Sequence, residues 1–185
     1  IVTVTHSGYI KRQSLDSYRS QKRGGRGVIG TETKDEQDFV EHMFITNTHS
    51  YILFFTDKGI VHWLKAYKVP EAGRYARGTA VINLIKFAEG EKLTSMVAVS
   101  KFNEESYLVM VTKTGIVKKT SVIEYSKPRQ GGIIGINLRD GDNLVDVKLT
   151  DGTRQLIIAT KDGRAVRFKE KDIKAVGRNS IGVRG

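Results

Sequence analysis

The 185-residue chain contains no cysteine, which excludes disulfides, thiolate metal sites and a cysteine nucleophile, and fits a reducing compartment. No apolar run approaches the roughly 20 residues of a membrane-spanning helix, and no signal-peptide pattern opens the sequence. Helical patterning is missing too, since no segment keeps a 3.6-residue apolar period over helical length. There is no helix-turn-helix pattern, no paired metal-ligand spacing and no basic-zipper heptad, so the common devices for reading a base sequence are absent. Acidic residues are in short supply: 20 Asp and Glu against 31 Lys and Arg leave a formal net charge of +11. That imbalance points to a polyanionic partner, although net charge alone does not separate nucleic acid from an acidic membrane surface. The remaining composition, 39% hydrophobic and 28% charged, is ordinary for a globular protein of one-domain size and allows a sizeable core.

Four segments are near-copies: "IVTVTHSG" at 1–8, "ILFFTDKG" at 52–59, "LVMVTKTG" at 108–115 and "LIIATKDG" at 156–163. Each is a β-branched and apolar run, then Thr, two polar positions and Gly. This predicts a buried strand ending in a tight hairpin turn, with Gly8, Gly59, Gly115 and Gly163 at positive φ. A second strand follows each glycine: "YIKR", "IVHW", "IVKK" and "RAVR". A third signal keeps the phase, as "GVIG" from Gly27, "GTAVINL" from Gly78, "GIIGINL" from Gly132 and "SIGV" from Ser180. A fourth is an acidic turn and strand, "GEKLTSMVAV" and "GDNLVDVKL", with "DEQDFVEHMFI" in the first repeat. Repeats of about 50 residues with four strand signals each predict propeller-like blades in an all-β protein. The competing possibility is a β-sandwich with recurrent hairpins. The repeats are 1–51, 52–107, 108–155 and an incomplete 156–185, about three and a half blades in one domain spanning 1–185. Three and a half blades do not close a ring, which predicts a fragment of a longer domain.

Charge sorts by phase within the repeat. From turn glycine to the end of the following loop, residues 8–27 carry +5, 59–78 carry +3, 115–132 carry +3 and 163–185 carry +5, while the other 104 residues carry −5. If equal phase means equal position on a blade, the basic segments form one band. A curved basic band matches duplex DNA, whose phosphates are dense and whose axis bends. Anionic lipid fits less well, because no amphipathic helix accompanies the charge. A solvated, mixed-charge face is the plainer alternative. The candidate contacts on the band are Lys11, Arg12, Lys65, Arg74, Arg77, Lys118, Lys119, Lys127, Arg129, Arg164, Arg167, Lys169 and Arg178. They would meet backbone phosphates rather than base edges. Aromatic residues mostly occupy strand positions, with Trp63 and Tyr75 as possible stacking exceptions.

The first repeat alone has a dense version of the opening loop, Gln21, Lys22, Arg23, Gly24, Gly25, Arg26 and Gly27. Glycines let amides approach phosphate oxygens, and the cations supply charge-assisted hydrogen bonds. It is not a P-loop, since it lacks G-K-[ST] and opens no helix. "QKRGGRG" resembles the glycine-rich basic box in the C-terminal domain family of the bacterial DNA gyrase A protein, and "THSGYIKR" at 5–12 resembles the strand pair that precedes it. The "GxxxINL" segments at 78–84 and 132–138 are similar to that family's blades, and the resemblance covers the whole chain. It implies a β-pinwheel of four-stranded blades that exchange strands. It also implies chiral wrapping of duplex DNA, fastened by Gln21 to Gly27, that lets gyrase introduce negative supercoils. The partners implied are duplex DNA, the gyrase B protein and the rest of the gyrase A protein. The assembly would be a heterotetramer of two A and two B proteins in the bacterial cytoplasm at the nucleoid, with no membrane. The domain itself would need no cofactor, while ATP and Mg serve the holoenzyme.

The nearest alternative is the related C-terminal domain of the topoisomerase IV A protein, which wraps DNA less strongly and whose box is degenerate or absent. A protein-interaction propeller would not require basic segments in phase. An enzyme would need recurring chemistry, yet His6 falls at a turn and His62 falls where Lys11 and Lys118 sit, both surface positions on this reading. No catalytic or metal-ligating residue is assigned.

Overall fold

The computed structural model describes residues 1–18 and 38–185, and among these it contains strands, turns and short 3-10 turns but no α-helix. The first repeat supplies β1 (Val2–Thr5), β2 (Tyr9–Arg12) and β3 (Val40–Phe44). The second supplies β4 (Tyr51–Thr56), β5 (Ile60–Lys65), β6 (Thr79–Ala80) and β7 (Leu93–Val99). The third gives β8 (Tyr107–Thr112), β9 (Ile116–Ser121), β10 (Ile133–Ile134) and β11 (Leu144–Thr150), and the fourth β12 (Gln155–Ala159), β13 (Ala165–Lys169) and β14 (Val183–Arg184). The expected "GVIG" strand signal of the first repeat lies outside the described residues.

These strands form three four-stranded sheets, ordered β3-β1-β2-β6, β10-β5-β4-β7 and β11-β8-β9-β14, plus the hairpin β12-β13. The described pairs are antiparallel. Each four-stranded sheet borrows one short strand from the next repeat, so the exchange implied by the resemblance is present. Ile10 faces Thr79, Val61 faces Ile133 and Val117 faces Val183. A glycine introduces each borrowed strand. Gly78, Gly132 and Gly182 have φ of 92°, 80° and 108°. A Cβ on Gly78 would lie 2.6 Å from the Ile10 carbonyl oxygen and one on Gly182 2.5 Å from that of Val117. The repeated glycine of the third signal therefore marks a left-handed bend pressed against the receiving strand.

The T-x-x-G turns have one construction. The glycine amide donates to the threonine carbonyl in all four, at 2.8, 2.9, 3.0 and 3.1 Å in chain order. The threonine hydroxyl accepts from the amide of the residue after the glycine, at 3.3, 3.3, 3.2 and 3.2 Å. Threonine thus closes the turn twice, with backbone and side chain.

By compactness the chain divides into one unit of residues 1–52 and 64–86 and another of 53–63 and 87–185. In the first, Val2, Val4, Ile10, Val69 and Val81 are buried. In the second, Leu53, Phe55, Val61, Leu108, Met110 and Tyr125 lie at the centre of an apolar cluster, with Leu144 and Val147.

The acidic phase also has a structural task. Asp38 accepts from the Ser7 amide at 2.8 Å, and Asp142 accepts from the Thr114 amide at 3.0 Å and hydroxyl at 2.6 Å. Burial raises the Asp142 carboxyl, but hydrogen bonds from Thr112, Thr114 and the Asn143 amide outweigh it and hold it below the usual carboxylate range. A depressed carboxyl contributes stability that is present above its unfolded pKa of about 3.9 and is lost as pH falls through the folded value. Asp142→Ala should cost about 1–3 kcal/mol at neutral pH, read from urea unfolding, and the variant should lose less than the wild type on acidification. A variant within about 0.5 kcal/mol of wild type would show that the carboxylate does not support the turn.

Candidate nucleic-acid interface

The densest predicted contact, Gln21 to Gly27, lies outside the described residues. The other candidates separate into cations turned inward and cations left on the surface.

Lys11, Lys118 and Lys119 are 1%, 0% and 6% exposed, so the expectation that they face phosphates is corrected. Lys11 Nζ donates to the carbonyls of Gly73 (3.2 Å), Arg74 (2.6 Å) and Ala76 (2.9 Å). Lys118 Nζ donates to the carbonyls of Gly135 (2.8 Å) and Arg178. Lys119 Nζ donates to the Glu170 carbonyl at 3.0 Å. An ammonium occupied by backbone carbonyls in a dry site has little left for a phosphate. Burial lowers the Lys11 ammonium, and burial with the Arg178 charge brings Lys118 down to about 7. Arg12 is half-committed as well, with Nε on the Val69 carbonyl at 2.8 Å and Nη1 2.9 Å from Glu71.

These inward contacts recur. Arg12 binds the Val69 carbonyl, Trp63 Nε1 donates to the Tyr125 carbonyl at 2.9 Å, and Lys119 binds the Glu170 carbonyl. Each acceptor lies in or beside the 3-10 turn of the next repeat, at 66–68, 122–125 or 170–172. Trp63 packs on the apolar cluster and is not a free stacking platform. His62, at the place of the two lysines, is also buried rather than at a rim. Its Nε2 lies 3.4 Å from Glu91, its ring 5.3 Å from that of Phe87.

The remaining candidates lie on or near the surface of the described residues. In the first unit, loop 72–78 carries Arg74, exposed Tyr75 and exposed Arg77. Arg77 lies over the Tyr9 ring at 3.8 Å, and Arg74 donates to the Ser17 carbonyl. Lys65 sits over the Tyr51 ring at 3.5 Å and donates to the His49 carbonyl. In the second unit, exposed Lys127 and Arg129 share a hollow with Arg178, whose Nη1 donates to the Ile134 carbonyl at 2.7 Å. Arg164, Arg167 and Lys169 are exposed along β13 and its turn. Lys171, not singled out from sequence, lines a hollow with Arg167 and Lys169, and its charge in the basic phase was the available signal. No cluster of three or more metal-ligating side chains occurs among the described residues, and no helix among them is long and apolar enough to cross a membrane.

The family described as "DNA gyrase C-terminal domain, beta-propeller" matches residues 1–47, 50–100, 106–151 and 154–185. The DNA gyrase A protein of Clostridium acetobutylicum is 53% identical over the whole chain, and that of Haemophilus influenzae is 44% identical. The chain spans 22% and 21% of those two relatives. Among solved structures, the C-terminal domain of a DNA topoisomerase IV aligns over 100% of the chain and 55% of its own, with 33% identity and a TM-score of 0.81. A DNA gyrase A C-terminal domain aligns over 100% and 59%, with 23% identity and a TM-score of 0.76.

Proposed function

Given that the chain belongs to the DNA gyrase C-terminal domain family, we propose that it binds duplex DNA without sequence preference and wraps it with one handedness. In the intact enzyme this wrap would present a crossover to the strand-passage gate, so that ATP hydrolysis on the gyrase B protein drives negative supercoiling. The observation that carries the proposal is the repeat of surface cations in one phase. Arg74 and Arg77, and Lys127 with Arg129, lie in the loop that follows the second strand of their repeats and remain on the surface or at its edge, and Arg178 holds the matching place in the fourth repeat. They offer phosphate contacts and no base-reading element, so affinity is electrostatic and the specific act is bending. The chain itself supplies no chemistry in this scheme, and cleavage and ATP hydrolysis belong to the rest of the assembly.

If about six phosphates are neutralised, log K should fall with log salt at a slope of about −5. A flat salt response, or strong discrimination between unrelated duplexes, would overturn the binding proposal. The wrapping test binds the protein to nicked circular DNA, ligates and reads the linking number. A chiral wrap shifts it in proportion to protein added. The likeness to a topoisomerase IV domain favours a second assignment, a domain that binds DNA and selects its geometry with little wrapping. Binding with no linking-number shift would select it.

A further inference from the structure

Loop 72–78, "AGRYARG", has no buried side chain to anchor it, and its two glycines leave its backbone free to take many shapes. It is nevertheless held from beneath. All three hydrogens of the Lys11 ammonium are matched by carbonyls of Gly73, Arg74 and Ala76, which lie on both sides of Tyr75. The amide of Ala72 adds a bond to the Arg12 carbonyl at 3.2 Å, and that of Ala76 one to Gly73 at 3.1 Å. Above this cradle the loop presents Tyr75, 63% exposed, and exposed Arg77, with Arg74 beside them.

We propose that Lys11 is a positioning residue for DNA binding, fixing the 72–78 backbone so that Arg74 and Arg77 are set for phosphates before the duplex arrives. This rests on the DNA-binding function proposed above. A loop ordered in advance does not lose its conformational freedom on binding, so each arginine contact keeps more of its strength. The cradle needs a compact tetrahedral donor. A planar guanidinium in the same place keeps the charge but cannot direct its hydrogens to the same three acceptors. The second repeat shows the alternative, since His62 at the equivalent position is backed by Gly132, where a Cβ would fall 2.9 Å from His62 Cε1.

The test measures duplex affinity across a salt series for the full-length protein carrying Lys11→Arg, Lys11→Met, the pair Arg74→Ala and Arg77→Ala, or the pair combined with Lys11→Arg. Lys11→Arg leaves net charge unchanged and alters a residue that touches no phosphate. It should still reduce the salt slope by about 2, the share of two phosphate contacts. The arginine pair should produce the same reduction, and the combination no more than either, because both remove one set of contacts. A wild-type slope in Lys11→Arg overturns the proposal, as does a combined effect equal to the sum. If both Lys11 variants fail to fold, the arginine pair decides: a wild-type salt slope in that pair means the loop makes no phosphate contacts and overturns the proposal. Absence of salt-dependent duplex binding in the wild type would instead strike at the DNA-binding function itself.

Discussion

Replacing Lys22, Arg23 and Arg26 together by Ala is expected to abolish negative supercoiling by the intact enzyme while leaving the domain folded and still bound to DNA. The seven positions Gln21 to Gly27 hold three cations, three glycines and one glutamine, with no apolar side chain to bury. Stability should therefore stay within about ±0.5 kcal/mol, since no apolar group is removed. Affinity should fall only in part, because the surface arginines and lysines of the other repeats remain. Wrapping is more demanding. Bending a short duplex by tens of degrees costs on the order of 1–6 kcal/mol, and contacts at one end of the path must hold the DNA against that stiffness. Without them the duplex lies straighter on the remaining cations, no crossover of fixed sign forms, and only relaxation persists. The measurements are thermal unfolding, duplex affinity and supercoiling of a relaxed plasmid. Normal supercoiling by the triple variant would show that the box is not the fastening, and unfolding would assign it a structural role.

The turns are legible in the sequence because their physics restricts the residue type. A backbone at φ near 80° strongly favours glycine, so Gly8, Gly59, Gly115 and Gly163 stand out as a repeat. Strand exchange is visible there only through the family resemblance. Its local cause, a glycine pressed on the neighbouring strand at 78, 132 and 182, needs coordinates to be seen. The inward lysines escape the sequence for a different reason. A basic letter carries the same charge whether its ammonium meets water or a carbonyl, and charge sorted by phase counts both alike. The repeat nevertheless contains a clue. At the paired positions 11–12, 62–63 and 118–119 the residues are Lys-Arg, His-Trp and Lys-Lys. The second members, Arg12, Trp63 and Lys119, share an N–H donor rather than a charge, and each donates to a carbonyl in or beside the next repeat's 3-10 turn. A position kept as a donor while its charge varies belongs to the architecture. A position such as Arg77, whose charge sits in the open on a glycine-bounded loop, belongs to the surface.

Lys118 should make folding stability rise with pH above neutrality, opposite to what a salt-bridged lysine would do. Its side chain is fully buried, and burial together with the Arg178 charge brings its ammonium down to about 7, with Glu124 pulling weakly the other way. In the unfolded chain the same group titrates near 10.4. Between about 7 and 10, the unfolded chain holds a proton that the folded protein has released. Stability therefore climbs with pH in that window, by at most about 1.4 kcal/mol per unit from this one group. Below about 7 both states are protonated and the contribution is flat. Release of the proton does not empty the site, because a neutral amine still has two hydrogens, enough for the carbonyls of Gly135 and Arg178. Lys118→Met removes the titration and keeps most of the volume. Urea unfolding of wild type and variant from pH 6 to 9.5 isolates the effect, since other titrating groups cancel in the difference. The wild type should gain on the variant steadily above pH 7. A difference that stays level across the window would mean the folded site keeps its proton, with the two carbonyl contacts outweighing the cost of burying the charge.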